Sequence, residues 1–218
     1  MMTTNKLTKT FASGSLAIGV LAGAVLTATS ASAASVMSTW GQWTSGTALQ
    51  VGDKKVTFVS ENGFGANALD DVELMEMGGD YYFIYDATTL ASPDANISSG
   101  SFTYTIEVTD PNKSIVGVDL DSTVSSNYGT VTETFGEIPG LSLVSTNGSQ
   151  VPSSGFIPIV PQTLLTVTNT LSNPDASTQG LFQLQNSFHQ TTVPEPGTIL
   201  GLLAVGGLGM VSRFKKQK

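Results

Sequence analysis

The sequence predicts an all-β protein, an antiparallel β-sandwich of about nine or ten short strands. Apolar residues in the middle of the chain alternate with a period of two, and Gly, Asn, Pro and Ser cluster between the alternating segments. No stretch between residues 35 and 192 carries a convincing amphipathic helix pattern. Rossmann and barrel-enzyme architectures are therefore not expected.

Three hairpins are predicted in the first half of this region. The clearest strand is SFTYTIEVTD (residues 101–110), whose Phe, Tyr, Ile and Val side chains share one face. The turn DPNK (residues 110–113) follows, and residues 116–120 alternate again, which predicts a hairpin. The other two hairpins cover residues 48–60 and residues 72–85.

Later strands are predicted over residues 130–135, 141–145, 164–171 and 181–188. The stretch from residue 151 to residue 161 contains three prolines, so it is expected to be a loop or an edge segment. No linker divides the region, and 158 residues can bury a core of their own. Residues 35–192 are therefore predicted to form one domain.

The first 34 residues are typical of a secretory signal peptide. Lys6 and Lys9 precede an apolar run, which is shorter than the roughly 20 residues that a membrane span needs. Ala31 and Ala33 provide the small residues of a cleavage site. We expect cleavage after Ala33 or Ala34.

Charge and cysteine content exclude several classes of function. Residues 35–192 contain three basic and 16 acidic residues, a net charge of −13. Such a surface repels nucleic acid and anionic lipid, so neither is an expected partner of the domain. The chain contains no cysteine, which excludes disulfides, thiolate metal sites and a cysteine nucleophile.

The C-terminal region, VPEPGTILGLLAVGGLGMVSRFKKQK, has three parts. Val193, Pro194, Glu195 and Pro196 form a segment whose prolines disfavour helix and strand. Residues 198–211 are apolar and would measure about 21 Å as a helix. A basic tail follows, which the positive-inside rule holds on the cytoplasmic side. Its members are Arg213, Lys215, Lys216 and Lys218.

This combination of motif, apolar run and basic tail resembles the PEP-CTERM sorting signal, and Pro194, Glu195 and Pro196 match its signature tripeptide. The resemblance implies that an exosortase, a membrane-embedded thiol transpeptidase or protease, processes the chain near this motif. It also implies that residues 193–218 hold the chain in the membrane only transiently, through a hydrophobic helix, much as a removable GPI tail does. The alternative is an ordinary tail anchor with a proline-containing stalk.

The resemblance extends to the middle of the chain. Segments such as LQVGDKKVTFVSENG and FQLQNSFHQ look like a recurring exported domain in PEP-CTERM proteins of cyanobacteria and other Gram-negative bacteria. This implies a β-rich protein of the cell envelope or extracellular matrix, with no assigned chemistry.

Few residues could support catalysis. His189 is the only histidine, so a Ser-His-Asp site or a histidine zinc site would have to use it. Its place four residues before Val193 favours an ordinary strand-end residue. Trp40 and Trp43 are expected to pack in the core or at an edge, with stacking on sugar rings as the alternative.

Carboxylates are densest in the segment from Asp70 to Glu73 and at Asp119 and Asp121. We expect these carboxylates to form solvated acidic surface, and the alternatives are weak calcium binding and glycan hydrolysis. We predict no catalytic residue, no metal ligand and no cofactor. The predicted function is that of an exported, non-catalytic structural or glycan-binding protein, with exopolysaccharide as a candidate partner. The alternatives are a carboxylate-dependent glycan hydrolase and a calcium-dependent adhesion module.

Overall fold

A computed structural model describes residues 34–151 and 155–192. Nearly all of the predicted signal peptide and the whole of the predicted sorting segment lie outside these residues. In chain order the elements are β1 Ala34–Thr39, α1 Trp40–Thr44, β2 Leu49–Val51, β3 Lys54–Asn62, β4 Asp71–Met77, β5 Asp80–Asp86, β6 Gly100–Val108, β7 Lys113–Val124, β8 Thr130–Phe135, β9 Ser142–Thr146, β10 Ser149–Val151, β11 Ile157–Gln162, β12 Leu164–Ser172 and β13 Leu181–Thr192.

The strands form two antiparallel sheets, which confirms the predicted class. One sheet has six strands in the order β1-β4-β5-β13-β7-β11, and the other has seven in the order β10-β9-β8-β12-β6-β3-β2. The predicted count of nine or ten strands was wrong, because the described residues contain thirteen. The additional strands are β1, the three-residue β10, and β11. Strand β11 carries Pro158 and Pro161 along an edge of its sheet, which agrees with the expectation of a loop or an edge segment there.

Two of the three predicted hairpins are confirmed. Strand β2 pairs with β3, and β4 pairs with β5. The third was wrong, because β6 pairs with β3 and β12 while β7 pairs with β11 and β13 in the other sheet. The turn after β6 therefore crosses between the sheets. Apolar alternation shows which face of a strand is buried, but it does not show which strand is its neighbour. Two consecutive strands can face the same core from opposite sheets.

The core is rich in aromatic side chains. Helix α1 begins after Thr39, whose side chain accepts a hydrogen bond from the backbone N–H of Gln42. It buries Trp40 and Trp43, which are 4% and 0% exposed, against rings from both sheets. The expectation of core packing is confirmed, and burial rules out sugar stacking by these two rings. Five residues are too few for a helical period to be read from the sequence.

A polar group of side chains crosses the centre of this core. Asn186 Oδ1 accepts hydrogen bonds from the Tyr104 hydroxyl at 2.9 Å and from Asn169 Nδ2 at 2.8 Å. Glu133 lies opposite Asn169 in the register of β8 and β12 and is 0% exposed. Burial raises the pKa of the Glu133 carboxyl well above its usual range, the charge of Asp119 adds to this, and the Asn186 amide opposes part of it.

The strand registers define two ends of the sandwich. The end that we call the turn end holds the short β2–β3 and β4–β5 turns and Thr192, the last described residue. The other end, which we call the loop end, holds the longer connections. These loops are residues 63–70, 87–99, 125–129 and 173–180.

Candidate functional site

Two adjoining cavities open at the loop end. The inner cavity has a volume of about 240 Å³, and the outer cleft has a volume of about 420 Å³. They share Asp94, Ala95 and Ile97. The inner lining adds Gly65, Asn67, Asp70, Ser92, Asn96 and Ser98. The outer lining adds Ser125, Ser177, Thr178, Gln179, Gly180 and Phe182.

Asp70 anchors the loop that enters the inner cavity. Its Oδ2 accepts hydrogen bonds from the backbone N–H of Asn67 at 2.8 Å and from the Tyr85 hydroxyl at 2.6 Å. Asp70 is only 1% exposed, and its other carboxyl oxygen, Oδ1, has no hydrogen-bond partner among the described residues. Burying an unpaired carboxyl oxygen is unfavourable. The loop end therefore contains a buried hydrogen-bond acceptor that no described residue satisfies.

Asn96 fixes the long loop between β5 and β6. Its Nδ2 donates to the Phe64 carbonyl at 3.0 Å and to the Tyr85 hydroxyl at 3.1 Å. Its backbone exchanges two hydrogen bonds with Leu181, at 2.9 and 2.8 Å. The loop is thus tied to the sandwich close to its C-terminal end, and Asp94, two residues before Asn96, is exposed.

A buried asparagine holds the outer cleft together. Asn173 Nδ2 donates to the carbonyls of Ile97 at 2.8 Å and Gln179 at 2.9 Å, which joins two loops. Ile97 is 53% exposed and adds an apolar surface beside the polar groups. Carboxylate, amide and hydroxyl groups around an apolar patch can hydrogen-bond hydroxyl groups and cover a sugar ring. Neither lining contains a basic side chain among the described residues.

The predicted carboxylate segment from Asp70 to Glu73 is divided between two places. Asp70 lies at the loop end, whereas Asp71 and Glu73 line a cavity of about 100 Å³ on the outer face of the six-stranded sheet. Asp86 lines the same cavity and lies opposite Asp71 in the register of β4 and β5. Burial raises the pKa of the Asp71 carboxyl, and the negative charges around it, that of Asp86 first, add to this.

The other predicted candidates lie apart from these cavities. Asp119 and Asp121 lie on β7, where Asp121 Oδ1 accepts the backbone N–H of Ser122. His189 Nδ1 lies 2.6 Å from Asp80 Oδ1, and its side chain is 49% exposed. The described residues contain no group of three or more His, Asp or Glu side chains arranged to hold a metal ion.

A buried charged cluster that sequence reasoning missed lies at the turn end. Lys54 is 0% exposed, and its Nζ lies 2.8 Å from Asp53 Oδ2 and 4.3 Å from the centre of the Tyr81 ring. The Tyr81 hydroxyl donates to Asp53 Oδ1 at 2.7 Å. Burial lowers the pKa of Lys54, although Asp53 opposes this. Burial acts to raise the pKa of Asp53, but hydrogen bonds from Lys54 and Tyr81 bring it below its usual value.

The structure and one comparison together define the class of protein. The described residues form a β-sandwich, and a family model described as the PEP-CTERM protein-sorting motif matches residues 192–216. The chain is thus an exported protein that carries a C-terminal sorting signal. The match supports a PEP-CTERM domain-containing substrate of an exosortase. Neither a curated protein nor a solved structure matches the chain.

The predicted processing residues lie almost entirely outside the described part of the chain. This holds for the motif Val193–Pro196, for the basic tail at residues 213–218, and for Ala31 and Ala33. Ala34 is the first described residue and begins β1, where it pairs with Glu76. No helix among the described residues is long and apolar enough to cross a membrane.

Proposed function

We propose that the chain is a non-catalytic protein of the cell envelope or extracellular matrix and that its loop end binds uncharged exopolysaccharide. The loop-end cleft is the observation that carries this proposal, because its carboxylate, amide and hydroxyl groups surround an exposed isoleucine. The net charge of −13 over residues 35–192 disfavours an acidic polymer.

The position of the cleft suits a protein delivered through its C terminus. Strand β13 runs from the loop end to Thr192, and its 12 residues span about 40 Å at roughly 3.3 Å each. The sorting segment continues directly from Thr192 in the sequence. In this proposal residues 198–211 hold the chain in the membrane for a time, the exosortase acts near Val193–Pro196, and the loop end faces away from the attachment point.

A binding measurement tests this function. Protein recovered from the medium of its host would be titrated with the neutral and the acidic exopolysaccharide fractions of that host. Replacing Asp94 or Gln179 with Ala removes a polar group from the cleft, and a lost hydrogen bond to a charged group costs about 1.5–3 kcal/mol. We expect Asp94→Ala to weaken binding of the neutral fraction about tenfold or more. The exposed Glu107, on the surface of β6, supplies the control Glu107→Ala.

Equal binding by the Asp94 and Glu107 variants would place the glycan elsewhere on the molecule. Absence of binding by the unmodified protein to either fraction would contradict the proposal as a whole.

A second candidate function, glycan hydrolysis, is favoured by one observation. Asp71 has a raised pKa and lies opposite Asp86 in the register of β4 and β5, and two neighbouring carboxyl groups can act as acid and nucleophile or base in glycoside hydrolysis. Release of reducing ends from the neutral fraction, lost in Asp71→Asn and kept in Asp121→Asn, would support hydrolysis. No release by the unmodified protein would exclude it for that substrate.

A further inference from the structure

The turn end brings the fully buried amine of Lys54 against a partly buried carboxamide and a partly buried carboxylate. Lys54 Nζ lies 2.5 Å from Gln190 Oε1 and 2.8 Å from Asp53 Oδ2. The first distance is below the range of about 2.7–3.2 Å that is usual for an N–H···O hydrogen bond. Lys54 is fully buried, and its amine nitrogen contacts the carboxamide oxygen of Gln190, which is bonded to the carbon Cδ.

The fold produces this contact between opposite sheets. Lys54 begins β3 of the seven-stranded sheet and lies on the same buried face as Val56. Gln190 belongs to β13 of the six-stranded sheet and follows a shift in the register with β7 between His189 and Gln190. The Tyr81 ring lies over the amine, and its hydroxyl holds Asp53 in place.

We propose that Lys54 and Gln190 form an intramolecular isopeptide bond that links the two sheets. The uncharged amine of Lys54 attacks Cδ of Gln190, and the Nζ–Cδ bond forms as the carbonyl π electrons move to Oε1. Asp53 accepts one proton from Nζ and delivers it to Nε2. The carbonyl re-forms, the Cδ–Nε2 bond breaks, and ammonia leaves. The product is a secondary amide, and the step needs no oxidant, reductant or cofactor.

The surroundings of Lys54 favour this reaction. Burial lowers the pKa of the amine and so raises the fraction that is uncharged and nucleophilic. A carboxamide is a poor electrophile in water, but reactive groups held in contact gain an effective concentration of about 10⁵–10⁸ M. Asp53 lies within hydrogen-bond distance of the attacking nitrogen, which is the position required of a proton carrier.

The bond would secure the strand that leads to the sorting signal. Gln190 lies three residues before Val193, and the chain has no cysteine with which to form a disulfide. A covalent link from β13 to β3 would also restrict the unfolded chain between residues 54 and 190, as a disulfide does. The link belongs to the turn end and is independent of any ligand at the loop end.

Peptide mapping by mass spectrometry tests the proposal directly. The full chain would be recovered from its host, denatured, and digested with a protease that does not cut at lysine. We expect one branched peptide that contains Lys54 and Gln190, with a mass lower by one ammonia than the sum of its two parts. Recovery of both peptides unlinked and at full mass would overturn the proposal, and this result needs no variant.

Variants then assign the roles of the three side chains. Lys54→Met and Gln190→Leu should abolish the branched peptide, and Asp53→Asn should reduce its yield strongly. The controls are Lys55→Met, on the other face of β3, and Gln185→Leu, earlier on β13, and both should keep the link. An ammonia loss that persists in Lys54→Met would contradict the assignment of the amine. Circular dichroism of each variant separates loss of the link from loss of the fold.

Discussion

The two ends of the sandwich differ in whether their buried ionisable side chains have all their hydrogen-bond partners. At the turn end the buried Lys54 amine has a carboxylate, a carboxamide and an aromatic ring as neighbours. At the loop end the buried Asp70 keeps one carboxyl oxygen without a partner among the described residues. The first arrangement satisfies its polar groups internally, as a structural element does. The second leaves a buried polar atom without a hydrogen-bond partner, which is uncommon in folded proteins.

The largest effect on stability is expected at the turn end. Asp53→Ala removes the carboxylate partner of a fully buried amine, and breaking a buried pair in this way costs about 3–5 kcal/mol. The same change removes the proposed proton carrier. The isopeptide bond would then form less readily, which lowers the stability further. Urea unfolding measures the difference. A loss below about 1 kcal/mol would show that the cluster contributes little to the stability of this end.

A smaller loss is expected at the loop end. Tyr85→Phe removes the hydroxyl that donates to Asp70 and accepts from Asn96, and leaving such groups unsatisfied costs about 1–3 kcal/mol. Tyr82→Phe, on the outer face of the same strand, is the matched control. Equal unfolding midpoints for the two variants would mean that the Tyr85 hydroxyl does not hold the loops in place.

Between the two ends, Glu133 is expected to give the protein a pH-dependent stability. Its folded-state pKa is raised, so at pH values between the ordinary pKa and the folded-state pKa the carboxyl is protonated in the folded chain and ionised in the unfolded chain. Unfolding then releases a proton, and stability falls as pH rises above the ordinary value of 4.5, by at most roughly 1.4 kcal/mol per pH unit.

Glu133→Gln stays uncharged in both states, so it should remove this slope and stabilise the protein at neutral pH. Unfolding curves of both proteins between pH 4 and pH 8 provide the measurement. Parallel curves would show that Glu133 does not titrate differently in the two states.

The smallest effect on stability is expected for Asp94→Ala. Asp94 is exposed, and surface substitutions of this kind usually change stability by less than about 0.5 kcal/mol. Its expected effect on glycan binding is large. A variant that loses binding but keeps its stability would show that Asp94 contacts the glycan and does not support the fold. A large loss of stability would instead make Asp94 part of the structure of the loops.

The sequence predicted the sandwich more completely than it predicted either end. Period-two alternation identified most strands, but it could not assign β6 and β7 to their sheets, because strands from both sheets bury the same kind of face. Alternation also places Lys54 beside Val56 and Glu133 beside Val131 on buried faces, so the sequence carried a signal for both buried groups. It contained no information about their partners, which come from distant strands.

The loop-end site was not predictable from the sequence for a related reason. Its residues come from separate loops that have no shared spacing, and only the closure of the two sheets brings them together. The carboxylates that looked clustered in the sequence are divided by the fold, since Asp70 precedes β4 while Asp71 and Glu73 lie on its outer face. The sorting motif was predictable because its residues are contiguous in the sequence and do not depend on the fold to bring them together.

Mass spectrometry of the C terminus tests the central claim, that an exosortase processes this exported chain near its C-terminal motif. The protein would be recovered from membrane and medium fractions of its host, with and without the exosortase. We expect the residues beyond Val193–Pro196 to be absent from the medium protein only when the exosortase is present. A complete C terminus in both strains would contradict the claim and make the chain a membrane-anchored protein.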